Sequence, residues 1–139
     1  MLAQYKNGEK EGLFEEWDEE GVLSFRAALV NNQHEGEVIE NYPSGSPKSR
    51  SFYQDGEHHG TQKQWYENGA LKMESHYSNG KRSGRHTLWN EKGQVLFQVS
   101  YKDDHPVGQM QSYYNNGTLK EDATFTEEGM KTGPYREFY

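Results

Sequence analysis

Residues 65–84 read WYENGALKMESHYSNGKRSG, and this stretch holds the pattern that decides the fold. An aromatic pair leads into a glycine-containing turn, an alternating apolar and polar segment follows, and a second turn comes at Asn79-Gly80. The second turn has echoes in YKNGEKEG from Tyr5 and YQDGEHHG from Tyr53. Segments of about eight residues between glycine-containing turns are typical of β-strands joined into hairpins. The stretch therefore predicts a β-hairpin that recurs along the chain.

A fixed interval of 24 residues separates the copies of this hairpin. Steps of that length from Tyr5 meet only apolar or aromatic residues, namely Leu29, Tyr53, Tyr77, Tyr101 and Phe125. Thirteen of the 15 glycines keep the same spacing, and self-similarity at a fixed interval is the signature of repeat proteins. We therefore expect one repeat domain over residues 1–139, with units that start near residues 5, 29, 53, 77 and 101 and a partial unit from residue 125.

The spacing of the glycines predicts an all-β fold, because a glycine about every eight residues would cost a helix about 1 kcal/mol each. We expect a single elongated, twisted antiparallel meander of about eleven or twelve strands. Both turns of a unit, Glu67-Asn68-Gly69 and Ser78-Asn79-Gly80, predict three-residue loops that end in a left-handed glycine. The glycine at position 60 and its equivalents are expected to leave room within a strand for an aromatic neighbour.

Loop length determines which side chains share a face of the sheet. With a three-residue loop, Trp65 pairs with Leu71, and alternation along the strand then places Tyr77 on the face of Trp65. One face should therefore carry a structural spine of aromatic residues. The predicted spine comprises Trp17, Trp65, Trp89, Tyr113, Tyr53, Tyr77 and Tyr101.

The opposite face carries the candidate binding residues. Tyrosine is rigid and amphipathic, and it is enriched at the energetic centres of protein interfaces. The predicted partner-binding residues are Tyr42, Tyr66, Tyr114, His86, Met110, Asp18 and Glu16. The alternative is that these residues only shield the second side of a one-layer sheet.

Composition restricts the class of partner. The chain carries a formal net charge of −7, which disfavours nucleic acid or an anionic membrane and favours a basic protein. Aromatic residues make up 14% of the chain, which argues against disorder despite an apolar content of only 31%. No cysteine is present, so disulfides and thiolate chemistry are excluded.

No motif in the sequence predicts catalysis, a cofactor or a metal site. His34 and His58 occupy equivalent positions two strands apart, at about 10 Å, which is long for two ligands of one ion. Adjacent acidic residues such as Glu19 and Glu20 point to opposite faces of a strand and are poor catalytic pairs. The first ten residues, MLAQYKNGEK, show no basic segment followed by an apolar run, so we expect a cytoplasmic protein.

Residues 65–84 resemble the bacterial variant of the MORN repeat. The shared pattern is an aromatic residue with Gly and Leu in the first turn, followed by Tyr-x-Asn-Gly-x-x-x-Gly, and it covers nearly the whole chain. Unit 2 departs from it with Asn41 at the tryptophan position and Pro47 at the leucine position, and unit 5 with Asp104 and Pro106.

The resemblance implies a binding function without catalysis. It suggests an antitoxin or immunity protein that blocks a toxin, for which the expected partner is a basic toxin domain. The alternative that it implies is a structural scaffold or assembly module, which self-associates or contacts lipid.

Overall fold

The computed structural model describes the backbone of residues 4–6 and 9–137 and the side chains of residues 12–132. Fifteen strands form in this part of the chain, and every pair is antiparallel. The strands are β1 (Gln4–Lys6), β2 (Glu9–Trp17), β3 (Leu23–Val30), β4 (Gln33–His34), β5 (Gly36–Asn41), β6 (Pro47–Gln54), β7 (Glu57–His58), β8 (Gly60–Trp65), β9 (Leu71–Ser78), β10 (Lys81–Arg82), β11 (Gly84–Trp89), β12 (Val95–Lys102), β13 (His105–Tyr113), β14 (Leu119–Phe125) and β15 (Lys131–Glu137). The predicted all-β antiparallel meander is confirmed.

Neighbours in the sheet follow the order of the chain. Twelve strands form the main path, and the two-residue strands β4, β7 and β10 pair with β3, β6 and β9 beside it. A glycine begins the strand that follows each short strand, and its φ is +79° at Gly36, +83° at Gly60 and +86° at Gly84. A Cβ at Gly36 would meet no atom within 4 Å. A Cβ at Gly60 would lie 3.8 Å from that of Phe52 and one at Gly84 3.5 Å from that of His76, which are ordinary contacts. The predicted ring-bearing neighbours are thus present beside two of the three glycines without crowding them, and the left-handed backbone is what requires glycine at all three.

The turns that follow β2, β5, β8, β11 and β13 are called the long turns. They all lie at the same ends of the strands, and this side of the sheet is called the long-turn edge. Each is a three-residue loop, as predicted. In the third of them, the Gly69 N–H donates to the carbonyl of Tyr66 over 3.0 Å, and the Tyr66 N–H donates to the carbonyl of Ala70 over 2.9 Å. Only the glycine, with φ +88° at Gly69, lies in the left-handed region.

The turns at the opposite ends of the strands, at residues 31–32, 55–56, 79–80 and 103–104, are called the short turns, and this side of the sheet is called the short-turn edge. Their length differs from the prediction. Gln54 pairs directly with Glu57 across Asp55 and Gly56, so the loop has two residues. Both residues have positive φ, +53° and +82°, which is the type I′ geometry that suits the twist of a hairpin. The turns at residues 31–32, 79–80 and 103–104 share this geometry. The prediction of three-residue loops here is therefore wrong, and the loop before β15, at residues 127–129, is the exception.

An extra residue beside each long turn changes which side chains share a face. Trp65 pairs with Leu71 as predicted, but the next pair is Gln64 with Met73, so Lys72 has no counterpart. Since paired side chains share a face, Met73 and the residues that alternate with it lie opposite Trp65. The same one-residue shift occurs in the other hairpins joined by long turns.

The single predicted spine is therefore wrong, because its members are divided between two faces. The tryptophan face carries Trp17, Trp65, Trp89 and Tyr113, and the core face carries Tyr53, Tyr77 and Tyr101. Trp17 is 51% exposed, which agrees with a face that has no layer over it.

The buried residues run down the middle of the core face. Small residues stand opposite larger ones there, as in the pairs Phe14 with Ala27 and Met110 with Ala123. Six of the seven buried residues among residues 12–132 lie on this face, namely Phe14, Ala27, Gln62, Ser75, Val99 and Ala123. The face that was predicted to bind a partner thus supplies the core.

Aromatic rings join successive units on the core face near the short turns. The ring centroids of His34 and Tyr53 are 5.1 Å apart, those of Tyr53 and His58 4.4 Å, and those of His58 and Tyr77 4.9 Å. Arg82 takes the histidine position in the next unit and lies 5.3 Å from the ring centroid of Tyr101. The tyrosine and histidine positions therefore form a continuous stack across the repeats, and burial raises the pKa of Tyr53 within it.

Candidate functional site

The seven predicted binding residues occupy two separate places. Asp18, Tyr42, Tyr66 and Tyr114 begin four of the long turns at one edge of the sheet. The other three, Glu16, His86 and Met110, lie on strands β2, β11 and β13 on the core face. The structure therefore does not gather the seven into one site, and the long-turn edge holds the larger group.

Two of the tyrosines tie each unit to the next through their hydroxyl groups. Tyr42 donates to the backbone carbonyl of Trp65 over 2.6 Å, and Tyr66 donates to that of Trp89 over 2.7 Å. The two carbonyls belong to equivalent residues at the end of the following unit's first long strand. Each tyrosine ring is half-buried as a result, and its position is set by the neighbouring repeat.

A lysine lies over each tyrosine ring. The Nζ of Lys48 is 5.8 Å from the ring centroid of Tyr42, and the Nζ of Lys72 is 5.5 Å from that of Tyr66. Lys120 stands in the same relation to Tyr114, at 5.7 Å. These distances are within the range of cation–π attraction. The lysines occupy the extra position beside the turn, so the bulge is what brings a cation to each ring.

Asp18 and Asn90 take the tyrosine position in units 1 and 4 and use their side chains differently. The Oδ1 of Asp18 accepts hydrogen bonds from the N–H groups of Glu20 and Val22, both over 2.9 Å. Asn90 accepts in the same way from Lys92 and Gln94, both over 3.0 Å. Asp18, predicted to bind a partner, therefore has a role within its own turn.

The tips of the long turns carry negative charge. The exposed charged residues there are Glu19, Glu20, Glu67, Glu91 and Lys92, so negative charge predominates. They project beyond the last paired residues of their hairpins, because a turn residue has no partner strand. The long-turn edge thus combines fixed tyrosine rings with acidic groups that have free access to solvent.

His86 and Met110 have packing roles on the core face. The imidazole Nδ1 of His86 forms a hydrogen bond with the hydroxyl of Ser75, and its ring lies edge-on to Phe97 and Tyr101 at 5.9 and 6.0 Å. Burial, and then the nearby Arg82 charge, lower the pKa of His86. Met110 stands opposite the buried Ala123.

The described part of the chain shows no group of three or more metal-ligating side chains that could hold an ion. His34 and His58, considered as ligands from the sequence, lie on either side of the Tyr53 ring. A search of residues 4–6 and 9–137 for helices long and apolar enough to span a membrane found none.

The family model described as MORN repeat variant matches residues 35–55, 59–79 and 106–127. Each matched segment overlaps one hairpin joined by a long turn, namely β5–β6, β8–β9 and β13–β14. The hairpins β2–β3 and β11–β12 show the same one-residue shift, so the structure extends the unit beyond the matched segments. A search of curated proteins found no match to the chain. Three segments of the chain are therefore similar to MORN-variant repeats, which indicates a repeat module of structural or binding type.

Sequence reasoning missed a groove on the tryptophan face. The groove has a volume of about 370 Å³ and lies across strands β5, β6, β8 and β9. Its lining residues are Glu37, Arg50, Phe52, Thr61, Lys63, Trp65 and Glu74. The sequence prediction placed Trp65 in a buried spine, and a buried residue gives no reason to expect an open groove beside it.

Proposed function

We propose that this chain is a non-catalytic protein-binding module, an antitoxin or immunity protein that neutralises a bacterial toxin by direct contact. The long-turn edge supplies the contact surface. The observation that carries the proposal is the hydroxyl bond from Tyr42 and Tyr66 to the following unit, which holds each ring in place. A ring that is already immobile loses little conformational entropy when a partner covers it.

Charge supports a basic partner. The acidic tips of the long turns lie beyond the tyrosine rings and the lysines that cover them, and the chain as a whole carries −7. Complementary charge mainly accelerates association and excludes wrong partners, while buried aromatic rings supply most of the affinity. The proposed toxin therefore presents a basic surface with apolar recesses for the tyrosine rings, and the block requires no cofactor and no nucleic acid.

The direct test starts from a pull-down with the tagged chain in native lysate, followed by growth assays with the captured partner. Co-expression of the chain should restore growth to cells that produce that partner. Replacing Tyr42, Tyr66 and Tyr114 together by Ala should weaken the isolated complex by about a hundredfold, since several central rings are lost.

A matched triple replacement by Phe keeps the rings and should weaken the complex by only about tenfold or less. Ser100→Ala on the tryptophan face serves as the control away from this edge. A triple alanine variant that still folds and binds at wild-type strength would remove the long-turn edge from the proposal. A captured partner whose growth effect the chain does not relieve would remove the antitoxin role.

A structural scaffold is the second candidate, and the exposed Trp17 favours it. A large apolar side chain that is 51% exposed on an open face suits contact with another copy or with lipid. Light scattering over a concentration series distinguishes the two functions, because a scaffold should assemble as concentration rises. A chain that stays monomeric and does not sediment with anionic vesicles would exclude the scaffold, and protein binding would then be the one candidate left of the two.

A further inference from the structure

Two cations stand next to each other in the groove on the tryptophan face. Arg50 on β6 pairs directly across the sheet with Lys63 on β8. Like charges at directly opposed positions are destabilising. Arg50 is partly neutralised by Glu37, whose carboxylate lies 3.6 Å from the guanidinium. Lys63 forms no ion pair with any residue whose side chain the structure describes. The cross-strand neighbour of Lys63 on β9 is Glu74, so the groove contains two cations and two carboxylates. The Lys63 ammonium is the one of the two cations that has no ion pair among the described side chains.

Large apolar side chains surround these cations. Phe52, which lines the groove with Trp65, is 40% exposed. Three further exposed apolar residues continue on the same face of the preceding hairpins, namely Leu13 at 39%, Trp17 at 51% and Val30 at 42%. Four of the five exposed large apolar side chains among residues 12–132 thus lie on this one face, and such a concentration favours an interaction site.

The later units lack this surface. The positions along the middle of the tryptophan face that correspond to Arg50 and Lys63 are occupied there by Gln98, Gln111 and Asp122. Gln98 and Gln111 bond to each other over 2.7 Å and so satisfy their own polar groups. Among residues 12–132, an exposed ring beside two directly opposed cations on this face is thus found at Phe52, Arg50 and Lys63.

We propose that this groove binds an extended protein segment in which an apolar side chain stands next to a carboxylate. This inference rests on the proposed function in one respect, namely that the chain binds protein. It concerns a different surface and does not depend on the antitoxin role. The apolar side chain lies between Phe52 and Trp65, and the carboxylate accepts hydrogen bonds from Lys63 and Arg50. Charge-assisted bonds of this kind would offset the repulsion between the two cations.

The rim of the groove favours a peptide carboxylate over a polyanion. Glu37 and Glu74 line the groove on either side of the two cations. A nucleic-acid backbone, with a phosphate at every nucleotide, would bring negative charge against both of them. A single carboxylate beside an apolar side chain can contact the two cations without bringing a second negative charge against Glu37 or Glu74.

The experiment pans a random peptide display library against the full chain, with depletion on a Phe52→Ser/Lys63→Glu double variant. Enriched peptides should carry Phe, Leu or Trp next to Asp or Glu. One such peptide, fluorescently labelled, is then titrated by polarisation together with its Asp→Asn or Glu→Gln form. The acidic peptide should bind the Lys63→Gln variant about tenfold more weakly than it binds the wild type. The amide form of the peptide should bind the wild type with the same reduced affinity.

Two control variants elsewhere on the tryptophan face test whether the groove itself binds. Gln98→Ala and Ser100→Ala should leave peptide affinity unchanged, since neither residue lines the groove. Unfolding midpoints confirm that each variant is folded, and Lys63→Gln keeps the test valid if Phe52→Ser unfolds.

Enrichment of basic peptides, or equal affinity for Lys63→Gln and the wild type, would overturn the proposal. Tighter binding of a labelled single-stranded oligonucleotide than of any selected peptide would assign the groove to nucleic acid instead. These outcomes do not depend on the toxin, so the groove can fail while the long-turn edge stands.

Discussion

The two edges of the sheet connect neighbouring units by different means. At the short-turn edge backbone groups bond to backbone groups of the next unit, as the N–H of Gly56 donates to the carbonyl of His34 over 3.1 Å and that of Gly80 to His58 over 2.8 Å. Side chains add to these bonds, since the carboxylate of Glu35 accepts from the N–H of Asp55 over 2.7 Å. At the long-turn edge the connection is made by side chains, through the hydroxyl groups of Tyr42 and Tyr66. The short-turn edge therefore keeps backbone links that do not depend on residue type, whereas the bonds described at the long-turn edge depend on side chains that a unit can change.

The difference shows where sequence variation can carry function. A short turn needs two consecutive residues with positive φ, which restricts it to Asn, Asp and Gly. A long turn needs positive φ only at its glycine, so backbone conformation does not restrict the three residues that precede the glycine. They read Asp-Glu-Glu, Tyr-Pro-Ser, Tyr-Glu-Asn, Asn-Glu-Lys and Tyr-Asn-Asn in successive units. The long-turn edge is thus the one on which specificity for a partner can be written.

The strongest test of this comparison places the same residue in a turn of each edge. Gly80→Val puts a β-branched residue at φ +81°, and we expect a loss of about 2 kcal/mol in the free energy of unfolding. Glu67→Val in a long turn has no such strain and should cost less than about 0.5 kcal/mol. Urea denaturation of both variants gives the two values. Equal losses would mean that the two edges are not constrained differently.

The second prediction concerns the two kinds of first residue in a long turn. Tyr66→Ala removes a half-buried ring and its hydrogen bond to Trp89, and should cost about 2 kcal/mol. Tyr66→Asn should recover about 1 kcal/mol of this, because Asn at the equivalent position 90 accepts two turn N–H groups. Thermal and urea unfolding measure both. An asparagine variant no more stable than the alanine variant would show that the two turns are not interchangeable.

The class of fold follows from the sequence because the repeat interval and the turn glycines are local signals. The faces do not follow, because they depend on Lys72, whose chemistry gives no sign that it is the extra residue in its hairpin. The lengths of the two turns do indicate that a unit contains an extra residue, although they do not identify it. A three-residue turn and a two-residue turn leave 19 residues of each 24-residue unit for two strands, an odd number that forces at least one bulge. The Asn-Gly and Asp-Gly steps that signal two-residue turns are visible in the sequence.

The candidate site is less predictable than the fold. Equivalent positions identify Tyr42 and Tyr66 as a set, but their hydroxyl partners belong to the next unit and are backbone groups, which no residue pattern reveals. The groove was missed for a related reason, since Phe52 and Trp65 come together only when the face of each strand is known. Long-range register, rather than composition, defines both surfaces.

The third prediction concerns the core face between the edges. The pKa of His86 is lowered in the folded state, so the unfolded chain binds a proton first as pH falls. The contribution of His86 to stability is complete above its ordinary pKa of about 6.5 and is lost as pH falls from there towards the folded pKa. Unfolding free energy measured between pH 7 and pH 5 should therefore decrease, by less than about 1.4 kcal/mol per pH unit for one proton. His86→Gln, which copies Gln62 at the equivalent position, should flatten this decrease, and an unchanged slope would exclude His86 as its source.

The smallest effect is expected from the lysines over the tyrosine rings. Lys72→Met keeps the length of the side chain and removes the charge above Tyr66, so we expect a loss of about 0.5 kcal/mol in unfolding free energy. Lys81→Met at the short-turn edge is the matched control, because no ring of residues 12–132 lies under that lysine, and its cost should be near zero. High salt should leave the difference largely intact if the cation contacts the ring directly, since screening acts chiefly on separated charges. If instead both variants lose the same stability, Lys72 acts only through the net charge of the chain. The pairing of lysine with tyrosine would then belong to binding, and not to the stability of the long-turn edge.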